Sequence, residues 1–251
     1  MPKADIHIFA IKGIPEIQPH DDFGAIIMEC MRQVGLRARE SDVVVIAQKI
    51  VSKAEGRIVR LDSIEPSARA CEWALQYRKD SRVVELVLRE AVRIVRMERG
   101  VLIVETRHGF VCANAGVDVS NTSAGTATLL PEDPDRSAER LRMQLTQTWG
   151  VPIGVIISDT FGRPWREGLV NVAIGVSGIA PLADYRGQPD SVGRALQATV
   201  IAVADELACA AGLVMGKTNR TPVVLVRGFS SARREGTGHD LLRCADQDLF
   251  R

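Results

Sequence analysis

The sequence lacks any strong excess of charge, and this absence argues against several classes of partner. Its 32 Lys and Arg residues are balanced by 31 Asp and Glu residues, which leaves a formal net charge of +1 at pH 7. A protein that attracts nucleic acid or an anionic membrane through its overall field needs a marked positive excess. We therefore predict a protein with neither nucleic-acid nor membrane partners.

Long apolar runs and paired cysteines are also missing. No apolar run approaches the roughly 20 residues that span a bilayer, and residues 1–5 lack the apolar core of a signal peptide. The five cysteines are dispersed, odd in number and without a C-x-x-C pair, which argues against a disulfide framework or a zinc knuckle. The predicted location is a reducing cytoplasm.

Common catalytic motifs are absent as well. There is no G-x-S-x-G elbow, and the four histidines show no ligand spacing. Residues 212–218 approximate a P-loop, but their glycines are one residue too close, and a helix is predicted before them where a P-loop requires a strand. We therefore reject a Walker A site, although a Gly-Lys-Thr loop can still line a nucleotide by a different geometry.

What the chain does contain is an alternation of strand and helix patterns. Strands are predicted at residues 6–11, 42–50, 101–105, 110–113, 151–157, 172–176 and 223–226. Helices are predicted at residues 22–34, at 65–97 in two segments that meet near residue 80, at 133–149 and at 195–211. The length suits one large mixed α/β domain or two smaller lobes, and no linker or repeat divides it.

The most informative stretch is residues 151–168. An apolar run is followed by Asp159 and Thr160, and then by a segment with Gly and Pro that presents Arg163 and Arg166. A carboxylate at the end of a strand can bind a hard cation, and arginines bind phosphate or carboxylate in a bidentate manner. This combination favours phosphate chemistry over simple packing.

Two other segments carry compatible groups. Asp118 is a candidate second metal carboxylate and Asn121 a candidate contact for a base or ribose, although Gly, Asp, Ser and Asn together also predict a plain turn. Lys49 and Lys53 leave the end of a predicted buried strand. Lysine suits phosphate, but an exposed lysine is usually only solvated.

Taken in the order in which they occur along the chain, several motifs resemble those of the coenzyme F420-0:L-glutamate ligases, the γ-glutamyl ligases of deazaflavin coenzyme biosynthesis. The resemblance spans about residues 6–250, and its segments are residues 14–16, 42–45, 49–53, 55–57, 116–121, 159–168, 204–206 and 221–228. Several motifs in order are more specific than any one of them. Some actinobacterial relatives carry a C-terminal nitroreductase-like domain; this chain stops before it, so a single domain over residues 1–251 is expected.

The resemblance implies a family-specific α/β fold of two interlocked lobes that forms an intertwined homodimer. It further implies a GTP-dependent ligase that adds L-glutamate to coenzyme F420-0. Whether the enzyme adds further glutamates stays open. The reaction would pass through an acyl phosphate and form GDP and phosphate. The implied cofactors are one or two Mg²⁺ or Mn²⁺ ions, with K⁺ as a further candidate.

The resemblance also assigns roles to individual residues. The metal ligands it implies are Asp118, Asp159 and Thr160. The GTP contacts it implies are Ile14, Pro15, Glu16, Ile17, Gln48, Lys53, Asn121, Met215, Gly216, Lys217 and Thr218. Two of these depart from the family pattern, because Gln48 stands where relatives usually have Ser or Thr, and Lys217 stands where some have an acid. Arg163 and Arg166 are candidate catalytic residues that bind the anionic acceptor or the transferred phosphoryl group.

Two alternatives stay open at this point. A ligase of the same fold with a different phosphorylated or carboxylated acceptor would share every motif. A metal-dependent phosphate hydrolase, or a catalytically silent nucleotide-binding module, would belong to another class. A hydrolase would form GDP and phosphate without glutamate, so a glutamate requirement separates it from a ligase.

Overall fold

The computed structural model describes residues 5–229 and 235–249. Its strands are β1 (His7–Ala10), β2 (Val43–Ala47), β3 (Ile58–Arg60), β4 (Ala91–Glu98), β5 (Val101–Thr106), β6 (Val111–Ala113), β7 (Thr126–Thr128), β8 (Gly154–Arg163), β9 (Arg166–Ser177), β10 (Ala183–Asp184), β11 (Val200–Ile201) and β12 (Val223–Arg227). Its α-helices are α1 (Phe23–Gln33), α2 (Gln48–Ala54), α3 (Ala68–Tyr77), α4 (Ser81–Glu90), α5 (Pro134–Trp149) and α6 (Val203–Met215). The mixed α/β class predicted from the sequence is confirmed.

A five-stranded sheet with the order β1-β12-β2-β8-β9 forms the centre of the larger part of the molecule. Only β2 and β8 run parallel; every other neighbouring pair is antiparallel. Side chains of a strand alternate between its faces, so Val44 and Ile46 join an apolar cluster with residues of α1 and α5, while Val43 and Val45 join a second cluster with α6. The sheet is therefore buried on both faces, as its continuous apolar strands predict.

A second group of elements has an apolar cluster of its own. Trp73 of α3, Val84 and Val87 of α4, and Leu102 and Val104 of β5 are all buried in it. The strands of this group form a three-stranded antiparallel sheet with the order β4-β5-β6, and β3 pairs with β7 beside it. The two interlocked lobes and the intertwined homodimer stay predictions.

Several local predictions are confirmed. The Asp133 side chain caps α5 with Pro134 at the first helical position, and Asp22 caps α1. α3 and α4 meet at residues 78–80, where Asp80 caps α4. β5 and β6 pair across the turn at residues 107–110. All five cysteines are free, and none of the helices in the described ranges combines the length and apolar character needed to cross a bilayer.

The helix predicted over residues 65–97 is wrong from residue 91 onwards, because β4 begins at Ala91. Ala91, Ile94 and Met97 share one partly buried side, a spacing of three that resembles a helix. Two register shifts in the β4–β5 pairing produce this spacing, one between Ala91 and Arg93 and one between Ile94 and Arg96. A bulge adds a residue to one strand and breaks the alternation of two, so the bulges give β4 a helix-like pattern.

Three other boundaries also differ from the prediction. The strand predicted over residues 42–50 ends at Ala47, and α2 follows at once. The helix predicted over residues 195–211 begins only at Val203. Residues 183–201 instead form an antiparallel hairpin-like loop, with hydrogen bonds such as Leu196 N–H to Gln188 O at 2.9 Å. The strand predicted over residues 151–157 continues as β8 to Arg163 and turns into β9.

The edge strand β9 is covered along its inner half. Asp205 of α6 accepts a hydrogen bond from Ala173 N–H at 2.8 Å, and Asp135 of α5 accepts one from Val176 N–H at 2.8 Å. The Cys209 thiol donates to Asn171 O at 3.1 Å. These side chains satisfy backbone groups that have no neighbouring strand. The outer residues 166–169 are exposed.

A buried ion pair joins β12 to the residue before β2. Arg227 donates to both carboxylate oxygens of Asp42, at 2.9 and 2.6 Å, and Asp42 is 1% exposed. Arg227 also donates to Arg37 O at 2.7 Å and lies over the Phe9 ring at 5.4 Å. Bidentate geometry with further hydrogen bonds is what a buried charge needs to offset its lost hydration.

Arg227→Met is expected to lower the free energy of unfolding by about 3–5 kcal/mol, because it leaves the Asp42 carboxylate buried without its cation. The matched control is Arg96→Met, which breaks an exposed pair with Glu98 and should cost about 1 kcal/mol or less. Urea unfolding of both variants measures the difference. Equal losses would show that the Asp42–Arg227 pair does not contribute through burial.

Candidate functional site

The candidate site lies where the two parallel strands of the large sheet leave the core. Ala47 of β2 is paired with Ser158 of β8. The next residues are therefore neighbours: Gln48 begins α2, and Asp159 and Thr160 continue along β8. Carboxyl ends of adjacent parallel strands form the usual ligand crevice of an α/β sheet. Asp159 thus lies within a strand at the edge of the site and not at a strand terminus as predicted.

The second carboxylate, Asp118, comes from the smaller sheet region. Gly116 turns the chain with φ of +70°, and a Cβ at this position would lie 2.6 Å from the Leu130 side chain. Asp118 N–H then donates to Thr128 O at 3.0 Å, and Thr128 N–H donates back at 2.8 Å. Its Oδ1 accepts Ser120 N–H at 2.6 Å. The segment therefore forms the predicted turn, and that turn carries the candidate metal ligand Asp118.

Two lysines of α2 reach the Asp118 loop. Lys49 Nζ contacts Asp118 Oδ2 at 2.6 Å, and Lys53 Nζ donates to Asn121 O at 2.8 Å. Lys53 also pairs with Glu16 from the segment between β1 and α1. Residues four apart on a helix share a face, so one face of α2 binds two separate segments. The structure thereby brings together three of the predicted GTP contacts, Glu16, Lys53 and Asn121.

The two carboxylates have pKa values that shift in opposite directions. Burial raises the pKa of Asp159 to about 6, and the nearby charge of Asp118 adds to the rise, whereas Thr160 N–H, Lys217 and Lys49 oppose it. Burial also acts to raise the pKa of Asp118, but hydrogen bonds from Lys49 and Ser120 outweigh it and the net shift is downward. One acid is thus held ionised while the other ionises only near neutral pH.

Thr160 is held by two side chains from other elements. Its hydroxyl donates to Asn171 Oδ1 of β9 at 3.1 Å, and Lys217 Nζ donates to the same hydroxyl oxygen. Lys217 follows the end of α6, so the segment after α6 does reach the site. The departure at Lys217 therefore places an ammonium beside two predicted metal ligands.

The remaining predicted contacts are distributed unevenly. Ile17 is buried and Ile14 packs against the main apolar cluster, while Pro15 is exposed. Gln48 is buried, and its side-chain oxygen accepts the Ser52 hydroxyl at 2.8 Å. Met215, the last residue of α6, is buried in the apolar cluster between α6 and the sheet. Gly216 and Thr218 are exposed at the end of α6, and their nucleotide roles stay predictions.

The structure does not bring Arg163 or Arg166 onto the carboxylates. The two residues pair across the β8–β9 hairpin at its tip, with Pro164 and Trp165 between them. Asp159 and Arg163 are four positions apart along β8, which corresponds to about 13 Å between their Cα atoms. Arg163 donates to Glu167 O at 2.8 Å, and its Nε is buried without a partner. The proposed contact of these arginines with an anionic substrate therefore stays a prediction.

Sequence reasoning missed three residues of this site. Lys49 was considered as a phosphate contact but not as the partner of Asp118. The strand predicted over residues 42–50 includes Lys49, so the sequence did not indicate that Lys49 and Lys53 share one face of a helix. Asn171 gave no local signal, since its role depends on pairing with Thr160 across β8 and β9. Cys112 lies close enough to Asp159 for burial and that charge to raise the pKa of its thiol to about 12.

The donor set fits a hard divalent cation. Asp118, Asp159 and Thr160 offer carboxylate and hydroxyl oxygens, which Mg²⁺ and Mn²⁺ prefer. Burial, with the nearby charge of Asp118 added, raises the pKa of Asp159, and a bound cation would favour the ionised form of this acid. Within residues 5–229 and 235–249, no group of three His, Cys, Asp or Glu side chains could hold a metal. Such a cation would hence complete its ligands with substrate phosphate and water, a common arrangement for Mg²⁺.

Comparison with known proteins identifies the family. The model of the F420-0:gamma-glutamyl ligase family matches residues 12–228. The chain belongs to this family. The coenzyme F420:L-glutamate ligase of Methanothermobacter thermautotrophicus is 45% identical over 249 residues, covering 98% of this chain and 99% of the relative. The protein of the same name from Methanopyrus kandleri is 48% identical over 241 residues, covering 94% of each chain.

More distant relatives cover the chain to a similar extent. The coenzyme F420:L-glutamate ligase of Archaeoglobus fulgidus is 40% identical over 247 residues, covering 98% of this chain and 96% of the relative. The resemblance recognised from ordered motifs is thus confirmed at the level of the γ-glutamyl ligase family. The matched range includes Asp118, Asp159 and the lysines of α2.

Asp159→Asn is expected to stabilise the metal-free protein at pH 7.5 by about 3 kcal/mol. The raised pKa means that the folded protein binds the Asp159 proton more tightly than the unfolded chain, so wild-type stability falls as pH rises from about 4 to about 6. Urea unfolding in EDTA from pH 4.5 to 7.5 should show a gain that grows up to about pH 6 and then stays level. A gain that does not vary with pH would contradict the assignment.

Proposed function

We propose that this protein is a GTP-dependent ligase that joins L-glutamate to coenzyme F420-0. The observation that carries the proposal is the meeting of Asp118 and Asp159. Asp159 lies in β8, and Asp118 is bridged to Thr128 of β7. Asp118 is near enough for its charge to add to the effect of burial on the pKa of Asp159, and Lys49 and Lys217 lie beside the two acids. Family membership and relatives named coenzyme F420:L-glutamate ligase support the substrate class.

The chemistry of such a ligation suits this set of side chains. An acceptor carboxylate oxygen attacks the γ-phosphorus of GTP, the bond to the bridging oxygen breaks, and GDP leaves. The glutamate amine then attacks the acyl-phosphate carbon, loses a proton and displaces inorganic phosphate. Phosphoryl transfer needs positioning and charge neutralisation more than covalent protein chemistry. A bound Mg²⁺ or Mn²⁺ would neutralise phosphate charge in this site.

The protein groups would divide this work by position. Asp118, Asp159 and Thr160 would hold the cation or cations. Glu16, Lys53 and Asn121 would form the nucleotide side of the site, since the α2 face already joins them. The choice of GTP, the intertwined homodimer and the cytoplasmic location rest on the family resemblance and form part of the same proposal.

The function is tested by incubating the protein with GTP, Mn²⁺, L-glutamate and F420-0, with mass spectrometry for added glutamyl units. We expect a product with one or more glutamates, formation of GDP only in proportion to ligation, and loss of product in Asp159→Ala. Reactions with ATP in place of GTP and without added metal serve as controls. GDP and phosphate release that does not require glutamate would instead indicate a hydrolase.

The hairpin arginines provide a further test. If Arg163 and Arg166 bind the anionic acceptor, the double change to Ala should lower kcat/KM for F420-0 by about 100-fold or more, equivalent to the loss of about 3 kcal/mol of charged hydrogen bonding. The Mn²⁺ affinity should stay unchanged, because neither side chain touches Asp118 or Asp159. A kcat/KM within a few-fold of wild type would remove the arginines from the site.

A further inference from the structure

Lys49 occupies an oxygen-lined position at the predicted metal site. Its Nζ lies 2.6 Å from Asp118 Oδ2, 2.8 Å from Ser120 O and 3.0 Å from Ser120 Oγ. An ammonium group has three N–H donors, so these three oxygens use all of them. The side chain is 19% exposed. Lys49 is therefore already fully bound by the protein and has no donor left for a phosphate.

The position of Lys49 follows from the start of α2. Lys53, one turn later, holds the same loop through Asn121 O. The two lysines thus anchor the loop at two points, but only Lys49 does so through a carboxylate. The Lys53 contact leaves Asp118 untouched. Loss of the Lys49 contact alone would hence leave the loop attached to α2.

Asp118 Oδ1 already accepts Ser120 N–H, so Oδ2, which Lys49 contacts, is the oxygen that a metal ion would compete for. We propose that Lys49 is a tethered monovalent cation that neutralises Asp118 until a divalent cation binds, and that its ammonium then moves to a phosphate of the nucleotide. The proposal rests on the role of Asp118 in the proposed function. A divalent cation and an ammonium on the same carboxylate repel each other. Phosphate oxygens supply the released ammonium with a new anionic partner.

A consequence of this exchange is coupling between metal and nucleotide. Without nucleotide, metal binding has to break the Lys49 contacts and leave the ammonium without an equivalent partner. With nucleotide present, the same ammonium gains a phosphate contact, so the metal binds more tightly. Because binding free energies are reciprocal, the metal would strengthen nucleotide binding by the same factor. Lys49 would thus add to the coupling that direct ligation of the metal by phosphate already provides.

The sign of a single measurement separates this role from simpler ones. If Lys49 only holds the Asp118 loop, its removal disorders a ligand and weakens metal binding. If Lys49 is only a phosphate contact, its removal leaves metal binding without nucleotide unchanged. If Lys49 competes with the metal for Asp118, its removal strengthens metal binding without nucleotide. Only the third result supports the exchange.

The experiment measures Mn²⁺ binding to the full chain by electron paramagnetic resonance of free Mn²⁺, with and without GDP. Without GDP, Lys49→Met should bind Mn²⁺ about fivefold more tightly than wild type, the size expected for loss of one partly exposed ion pair. GDP should tighten Mn²⁺ binding in both proteins through its phosphates, and by a larger factor in wild type than in Lys49→Met. The matched control, Lys79→Met, removes an equal charge from the exposed turn between α3 and α4 and should match wild type.

A second variant keeps the test informative if Lys49→Met fails to fold. Lys49→Gln removes the charge but keeps a donor for Ser120, and it should also tighten Mn²⁺ binding. Unchanged or weaker binding in both folded variants, or no Mn²⁺ binding by wild type, would overturn the role of Lys49. The proposed function fails differently: Mn²⁺ binding with the expected Lys49 effects, but no glutamate added to F420-0, would reject the ligase and leave the exchange standing.

Discussion

The parallel pairing of β2 and β8 is the constraint on which the site depends. These are the only parallel neighbours in the large sheet, and their register places Ala47 beside Ser158. The residues that pair, 43–47 of β2 and 154–158 of β8, are mostly buried and apolar and face clusters on the two sides of the sheet. A slip of one residue would turn each of these side chains to the opposite face. The core therefore fixes where α2 begins and where Asp159 emerges.

The Asp118 loop completes the site only because α2 carries its lysines on the matching face. Burial raises the pKa of Asp159 even with Lys49 and Lys217 nearby, and the charge of Asp118 adds to that rise. The lysines therefore help an acid of β8 and an acid bridged to β7 to share one crevice. The arrangement stores unfavourable electrostatics at the site, which the surrounding packing offsets.

Much of the large sheet was predictable because its local signals agree with its tertiary packing. The apolar runs of β2, β8 and β12, and the Asp133-Pro134 start of α5, each have one dominant interpretation. β4 was not predictable, since the bulges that set its spacing exist only when it pairs with β5. The start of α6 was misplaced because Ala-rich residues before it are held by cross-strand bonds to residues 185–190.

The candidate site shows the same division. Asp159 and Thr160 were predictable because they directly follow an apolar run in one continuous segment. The partnership of Lys49 with Asp118 joins residues 69 positions apart in sequence, and Asn171 reaches Thr160 only through the β8–β9 register. Single-sequence patterns carry no information on such contacts. The ordered family motifs supplied the association between Asp118 and Asp159 that local chemistry does not.

The covering of β9 determines how the large sheet can grow. An open edge strand accepts a further strand through its free backbone groups. Asp205, Asp135 and Cys209 already bind such groups between Asn171 and Val176, so no incoming strand can pair along that half. Any extension of the sheet at this edge is limited to the exposed outer residues, where Leu169 is 67% exposed. The carboxylates of two helices thereby limit the addition of strands at the β9 edge of the sheet.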